Sequence, residues 1–197
     1  MIQIKKILLN KALPILITIL SIFLYFPVNR FISGGTNLET IVDKYIPLIP
    51  VFVIPYLFGL LFWFSTIVIV NLKADKSYAR KFNIVVIVAS VLSVIIYLVI
   101  PTFVIRPEIT GTDFFSSILN LVYSNDRVNN AAPSGHTFYT LLCSLGLYRI
   151  FPKQKYLWII ISILIISSTV FTKQHNIMDV VLGLLFGLVI YRVVNRK

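Results

Sequence analysis

Charged residues are scarce in this chain of 197 residues. Asp, Glu, Lys and Arg make up 13% of it, whereas a soluble globular domain carries about 25%. This scarcity excludes an ordinary soluble globule. The 58% share of apolar residues also excludes a disordered chain, because such chains combine low hydrophobicity with a high density of charge.

Cysteine and histidine are scarcer still. The only cysteine, Cys143, excludes an intramolecular disulfide and a cysteine-based metal site. The chain has two histidines, too few for a histidine-rich metal site. We therefore expect a protein that works without a metal ion or another cofactor.

Long apolar segments are abundant. A transmembrane helix needs roughly 20 apolar residues, and six segments approach or reach that length: 12–28, 46–70, 82–105, 136–151, 156–172 and 177–194. The sequence therefore predicts an all-α polytopic membrane protein whose residues 1–197 form one domain with six transmembrane helices. The first segment could be a signal peptide, but it is long and residues 27–30 make a poor cleavage site, so we interpret it as an anchor.

The basic residues divide unevenly between the predicted loops. Thirteen of the 18 Lys and Arg residues fall in the segments 1–11, 71–81, 149–155 and 191–197, on one side of the membrane. Cytoplasmic loops are enriched in Lys and Arg, so both termini are expected in the cytoplasm of a cell-membrane protein. The net charge of +11 is then a topology signal, with some attraction to anionic lipids, and needs no nucleic-acid partner.

The residues capable of chemistry collect on the opposite, extracytoplasmic side. Six of the seven acidic residues and both histidines lie there. The longer outer loop, 106–135, contains an apolar stretch at 113–123 with the spacing of a helix. We expect this stretch to form a short amphipathic helix that lies in the membrane interface.

Three polar clusters lie at predicted outer helix ends. Arg106 and Pro107 follow the third segment, a Pro-Ser-Gly-His sequence opens the fourth at 133–136, and the segment 173–179 joins the fifth to the sixth. Six spans bring all three clusters to one membrane depth. Ionisable residues at that depth are costly and are functional by default, so we treat the clusters as one candidate site.

Part of this site suits an anion. Arg106 offers a planar fork of donors that matches phosphate oxygens. Ser134 supplies a hydroxyl at a predicted helix start, and Gly135 lets a ligand approach the backbone. The free N–H groups of a helix N-terminus also favour a phosphate.

The two histidines suit covalent transfer of the phosphoryl group. One imidazole can act as nucleophile and the other as proton donor. His175 and Asp179 are four residues apart, hence on one face if the sixth helix begins there. A carboxylate bonded to one ring nitrogen leaves the other free to attack, which describes a phosphohistidine mechanism without a metal.

Each cluster also has a purely structural interpretation. Arg106 could snorkel to the interface, the residues 133–135 could be an ordinary helix start, and Asn176 could cap the sixth helix with Asp179 in its first turn. The convergence of these groups at one depth favours the functional interpretation.

The three clusters, in this order, resemble the type 2 phosphatidic acid phosphatase superfamily, a group of membrane-embedded lipid phosphatases and phosphotransferases. The motifs concerned are Arg106-Pro107, the Pro-Ser-Gly-His sequence at 133–136, and His175-x-x-x-Asp179. The resemblance implies these roles: His175 as nucleophile, Asp179 as its orienting group, His136 as proton donor to the leaving group, and Arg106, Ser134 and Gly135 as phosphate-binding residues.

Two basic residues of the family pattern are missing. The family has a Lys seven residues before the Arg, where this chain has Val99, and an Arg six residues before the nucleophile, where it has Thr169. Lys173 has no counterpart in the commonest form of the family. We expect Lys173 to bind phosphate in place of part of the missing charge.

The Lys-Gln-His sequence at 173–175 and the pattern Tyr97-x-x-x-Pro101 are similar to the branch related to inositol-phosphorylceramide synthases. The resemblance therefore implies either hydrolysis of a lipid phosphate or transfer of the phosphoryl group, or of a phosphorylated headgroup, to another acceptor. Candidate substrates for hydrolysis are an isoprenyl diphosphate, phosphatidic acid and phosphatidylglycerol phosphate. A catalytically inactive lipid-binding or transport protein is the third possibility.

The distribution of Lys and Arg predicts which loops an impermeant thiol reagent reaches. In intact cells we expect the reagent to label Asp126→Cys in the outer loop and not Lys76→Cys in the inner one. Permeabilised cells provide the control for reactivity at position 76. Labelling of Lys76→Cys and not of Asp126→Cys in intact cells would contradict the predicted topology and indicate the opposite orientation.

Overall fold

A computed structural model describes residues 2–196 of the chain, with side chains from residue 11 onward, and is almost entirely helical. The side chains at positions 5, 6 and 197, which contribute to the charge distribution above, lie outside this part. The α-helices in the described residues are α1 Ile2–Ile22, α2 Tyr25–Phe31, α3 Ile41–Tyr45, α4 Val53–Lys73, α5 Lys76–Val99, α6 Phe114–Asn125, α7 Gly135–Ile150, α8 Lys155–Phe171 and α9 Ile177–Asn195.

The remaining regular structure is short. Strand β1, Thr36–Asn37, pairs in parallel with β2, Thr102–Phe103, and 3₁₀ helices occupy Pro50–Phe52 and Pro152–Gln154. The strand pair joins two loops, one before α4 and one after α5, which the sequence predicts to be on the outer side. It therefore holds the two loops at the same end of the bundle.

Five helical segments are long and apolar enough to cross a membrane: Lys11–Phe31, Pro50–Lys73, Lys76–Val99, Pro152–Phe171 and Ile177–Asn195. Large apolar side chains on these helices, including Leu61, Ile95 and Ile163, are exposed on the outside of the bundle. Exposed apolar surface on this scale is typical of helices that face lipid. These helices indicate a membrane protein.

The prediction for the third segment, 82–105, was wrong at both ends. The helix runs from Lys76 to Val99, because Asp75 caps its start by accepting the backbone N–H of Tyr78 at 2.9 Å. Pro101 disfavours helical backbone at the residue before it, so the chain becomes extended there. Arg106 therefore lies in an extended segment and not at a helix end.

Helix α7 occupies the centre of the bundle, where it packs against α4, α8 and α9. Its side chains Phe138, Leu142 and Leu147 are buried in the core, and the Trp63 indole N–H donates to Thr140 at 3.0 Å. Its 16 residues rise about 24 Å, less than the roughly 30 Å hydrocarbon core of a bilayer. By length, then, α7 is not among the candidate spans.

The outer loop between α5 and α7 contains helix α6, at the place where the sequence predicts a helix over residues 113–123. Asp113 caps its N-terminus by accepting the backbone N–H groups of Phe115 and Ser116. Its Tyr123 hydroxyl donates to the carbonyl of Thr172 at 2.7 Å. Helix α6 is thereby fixed to the connection between α8 and α9.

Helices α7 and α9 approach closely at Gly183. A Cβ atom at this position would lie 2.9 Å from the carbonyl oxygen of Ser134 and 2.9 Å from the Cβ of Thr137. At Gly187, one turn further along, the nearest atoms would be 3.2 Å away, on a flexible Leu141 side chain. Position 183 therefore has no room for a side chain, while position 187 has a little.

We expect Gly183→Ala to separate the outer ends of α7 and α9 and to destabilise the protein by roughly 1–3 kcal/mol, the usual cost of overpacking. Gly187→Ala is the matched control and should change stability less. The measurement is the melting temperature of each variant purified in the same detergent. Equal melting temperatures would contradict the close approach at Gly183.

Candidate active site

The three predicted clusters meet at one end of the bundle, the end that the charge distribution predicts to be extracytoplasmic. The backbone N–H of Ser134 donates to the carbonyl of Asp179 at 3.0 Å, joining the start of α7 to the first turn of α9. The Tyr97 hydroxyl donates to the carbonyl of Pro133 at 2.7 Å. The Pro-Ser-Gly-His segment is therefore held from two sides.

His136 lies in an aromatic environment. Its ring stacks on Tyr56 with centroids 4.0 Å apart and meets the edge of Trp63 at 4.8 Å. Its Nε2 atom is buried and has no hydrogen-bond partner among the described residues. The stacking fixes the plane of the imidazole and leaves one ring nitrogen available to a ligand.

His175 lies opposite, with its ring centroid 6.4 Å from that of His136. Its Nδ1 atom is 3.8 Å from Oδ2 of Asp179, and the carboxylate is almost completely buried. A hydrogen bond needs a shorter distance, but catalytic hydrogen bonds are often long before substrate binds. Asp179 is thus placed beside one histidine only.

The last helix starts where the predicted sixth segment, 177–194, starts, so the condition for His175 and Asp179 to share one helical face is not met. Helix α9 begins at Ile177, so His175 precedes it, and Asn176 is the N-cap. Asp179 forms a capping box with Asn176, whose backbone N–H it accepts at 2.8 Å. The structural interpretation of Asp179 is therefore correct, and its position beside His175 is compatible with it.

Ser134 also has a structural contact. It is the N-cap of α7, and its Oγ accepts the backbone N–H of Thr137 at 3.4 Å. Ser134 is fully buried, whereas Gly135 lies beside the cavity described next. The start of α7 therefore presents its backbone to that cavity at Gly135.

A cavity of about 230 Å³ reaches both histidines. Its wall is largely apolar and is formed by α1, α2, α4, α5, α6 and α7. Phe26 and Leu57 line it and are also exposed on the outside of the bundle. The cavity therefore extends from the histidines to the apolar flank of the protein.

Arg106 lies outside this cavity wall and contacts the backbone of the loop. Its guanidinium donates to the carbonyls of Asp126 at 2.6 Å and Arg127 at 3.3 Å, and also to the side chain of Gln174. It lies over the ring of Tyr123, 4.7 Å from the centroid. Its buried Nε has no partner within the described part of the chain.

The hydroxyl of Tyr123 stays protonated beside Arg106. Burial raises the pKa of Tyr123 to about 12, although the guanidinium acts in the opposite direction. The protonated hydroxyl can therefore keep donating to Thr172 at neutral pH. This contact and the cation over the ring connect Arg106 to the segment that carries His175.

Lys173 is directed at the first outer loop. Its backbone is left-handed, with φ of 54°, and its ammonium donates to the carbonyl of Asp43 at 2.8 Å. The Asp43 carboxylate in turn accepts the backbone N–H of Ile177 at 2.8 Å. Lys173 does not line the cavity, and its predicted role in phosphate binding stays a prediction.

The two positions that lack family cations differ in their surroundings. Val99 is 72% exposed at the end of α5. Thr169 is buried in α8, and its carbonyl accepts the backbone N–H groups of Gln174 at 2.9 Å and His175 at 3.1 Å. Position 169 thus supports the His175 segment through its backbone.

The motifs did not identify two polar residues near the histidines. Tyr56 stacks on His136, and Asp126 accepts hydrogen bonds from the hydroxyls of Tyr25 at 2.7 Å and Tyr56 at 3.3 Å. Asp126 stood out in the sequence only as one of the acidic residues on the outer side. Among the described residues, no three His, Cys, Asp or Glu side chains are grouped to hold a metal ion.

The comparisons with known proteins agree with the motifs. The family model of the PAP2 superfamily matches residues 78–197, more than half of the chain, and the protein therefore belongs to the PAP2 superfamily. The superfamily that the motifs resemble is thus confirmed, and it supports a phosphatase-type lipid function in broad terms. The narrower branch is not confirmed, because neither the curated proteins nor the solved structures contain a match to the chain.

Proposed function

We propose that the protein is an integral membrane lipid phosphatase, one domain over residues 1–197, that hydrolyses a phosphate monoester or pyrophosphate of a lipid. One observation carries the proposal. Two histidines, one in the first turn of α7 and one in the connection between α8 and α9, line the same cavity with ring centroids 6.4 Å apart, and a carboxylate lies beside only one of them. In a PAP2 member this asymmetry distinguishes a nucleophile from a proton donor.

In the first proposed step, Nε2 of His175 attacks phosphorus. A nitrogen–phosphorus bond forms while the bond from phosphorus to the leaving oxygen breaks. Asp179 keeps the proton on Nδ1 and stabilises the positive charge that the imidazole acquires. His136 gives its proton to the leaving oxygen.

The second proposed step releases phosphate. The oxygen of a water molecule attacks phosphorus, and His136, now neutral, accepts a proton from that water. The nitrogen–phosphorus bond breaks and returns its electron pair to His175. Free phosphate is the product, and both histidines regain their first protonation state.

The phosphate is proposed to bind at the N-terminus of α7. The backbone at Gly135 lies beside the cavity, and the first N–H groups of a helix favour an anion. Ser134 orients this turn, and Arg106, whose Nε has no partner among the described residues, would reach the phosphate by leaving its loop carbonyls when substrate is bound. Lys173 would contribute by leaving the Asp43 carbonyl when substrate is bound.

The membrane arrangement is part of the proposal. We infer six spans with α7 as the fourth, both termini in the cytoplasm, and the histidines on the extracytoplasmic side of the cell membrane. Helix α6 would lie in the interface, which is supported by its exposed apolar residues Phe114 and Leu121. The apolar flank of the cavity would admit the lipid sideways while its acyl chains stay in the bilayer.

Two alternatives differ in what becomes of the phosphoryl group. A phosphotransferase would form the same phosphohistidine and pass the group to an alcohol instead of water. A binding or transport protein would form none. The retained spacing of His136, His175 and Asp179 favours chemistry, because binding alone does not need it.

Purified protein tested on a panel of lipid phosphates in excess chelator should release free phosphate. His175→Ala should abolish release, because it removes the proposed nucleophile. His136→Ala should slow release by roughly 10²–10⁴-fold, the usual contribution of general acid catalysis. Wild-type protein quenched in alkaline detergent after labelling, conditions in which the histidine nitrogen–phosphorus bond survives, should carry phosphate on histidine.

The exposed Lys155→Ala is the control variant and should keep full activity. Release that stops in chelator and returns with a divalent ion would refute the proposed mechanism. Phosphate trapped on serine would refute the assigned roles. Failure of every lipid to release or transfer phosphate would favour the binding or transport protein.

Lys173→Ala tests whether this cation binds phosphate. Removal of one preorganised donor to the transferring group typically lowers the rate by about 10²–10³-fold, so we expect that loss in kcat with normal membrane insertion. Lys44→Ala, which removes an exposed cation next to Asp43 in α3, is the control. Normal kcat with a lower melting temperature would instead assign Lys173 to holding the Asp43 loop.

A further inference from the structure

A carboxylate in a phosphate site needs an explanation. Asp126 lines the same cavity as His136 and His175, and its negative charge opposes the binding of an anion. Its contacts with Tyr25 and Tyr56 occupy about half of the acceptor positions of a carboxylate. Asp126 can therefore accept a further hydrogen bond from a ligand in the cavity.

Asn130 supplies a second and independent observation. It lines the cavity, is only 2% exposed, and neither its amide nitrogen nor its amide oxygen has a partner among the residues that the structure describes. Its backbone is left-handed, with φ of 61°, a conformation that Asn adopts more readily than other residues with a side chain. Buried amide groups in proteins are nearly always hydrogen-bonded, so Asn130 is arranged for a ligand.

The two side chains together match one chemical group. An ionised Asp126 side chain accepts hydrogen bonds and has none to donate. The amide nitrogen of Asn130 can donate one. An alcohol hydroxyl satisfies both, since it donates to the carboxylate and accepts from the amide. An ammonium group has no acceptor for Asn130, and a second phosphate is repelled by Asp126.

On the basis of the proposed phosphatase function, we propose that Asp126 and Asn130 are specificity-determining residues that bind an alcohol hydroxyl next to the reacting phosphate. The hydroxyl can belong to the substrate lipid, on the carbon beside the phosphate ester, or to a separate alcohol that replaces water as acceptor. Of the substrate classes considered above, this subsite favours a phosphate monoester on a polyol and disfavours an isoprenyl diphosphate.

The first arm of the test compares two lipids that differ only in this hydroxyl. They are monoacylglycerol phosphate and its deoxy analogue, in which hydrogen replaces the free hydroxyl. Wild-type protein should have a kcat/KM tenfold or more higher for the hydroxyl lipid than for the deoxy analogue. The analogue has no hydroxyl to pair with the polar groups of the subsite, and these groups then stay buried without a partner. Asp126→Asn and Asn130→Asp should each reduce that preference to about twofold or less.

Each variant is judged by its ratio of kcat/KM for the hydroxyl lipid to kcat/KM for the deoxy lipid, which removes two complications. Any intrinsic difference in reactivity between the lipids is the same for every variant, and a variant that folds less well loses activity on both lipids equally. The exposed carboxylate variant Glu108→Gln is the control and should keep the wild-type preference. Equal effects of Asp126→Asn and Asn130→Asp on both lipids would exclude a hydroxyl of the substrate and leave the acceptor alcohol to the second arm.

The second arm adds glycerol to the reaction with the deoxy lipid and measures how phosphate divides between free phosphate and glycerol phosphate. Transfer to glycerol that is lost in Asp126→Asn would show that the hydroxyl belongs to an acceptor. The hydroxyl preference in the first arm shows that it belongs to the substrate. Absence of both effects in an active protein overturns the subsite and leaves the phosphatase function intact.

A binding measurement separates the subsite from catalysis. If wild-type protein releases no phosphate from any lipid, the proposed function fails. Competition binding of the same two lipids then decides the subsite alone. Tighter binding of the hydroxyl lipid that disappears in Asp126→Asn supports it, and equal binding of the two lipids overturns it.

Discussion

The hydrogen bond from the Ser134 backbone to the Asp179 carbonyl is the contact on which the site depends. It joins the N-terminal turns of α7 and α9, each next to one of the two histidines. Gly183 makes the contact possible, because any side chain there would meet the backbone of Ser134. Because this contact lies at the helix ends, a shift of either helix would change the distance between His136 and His175.

The loops at this end obey a constraint that the membrane imposes. Near hydrocarbon, backbone carbonyls without a partner are costly, and several are satisfied here by long polar side chains. Arg106, Lys173 and Tyr123 all donate to carbonyls of neighbouring loops. Arg106 and Lys173 thus hold loops together through these hydrogen bonds. Either cation can bind a phosphate only if the phosphate replaces the carbonyl as its acceptor.

Polar residues are few in this chain, and two of the carboxylic acids each have both a structural contact and a position beside a residue of the site. Asp179 caps α9 through its Oδ2 atom and lies beside His175. Asp126 has its backbone carbonyl bound to Arg106 and its side chain directed to two tyrosines in the cavity. The chain has only seven acidic residues. A carboxylate that stabilises the fold can therefore also take part in the proposed chemistry.

The sequence by itself determined the membrane class, most helix positions and the superfamily, because long apolar segments and motif order are local properties of the chain. It failed for the third segment, where Asp75 and Pro101 shift the helix. Which side chains meet across loops was decided only by tertiary structure. Asp126 and Asn130 have no motif spacing to the histidines, and the partners of Arg106 and Lys173 depend on how distant loops pack. Such contacts follow from packing in three dimensions, which periodicity along the chain does not encode.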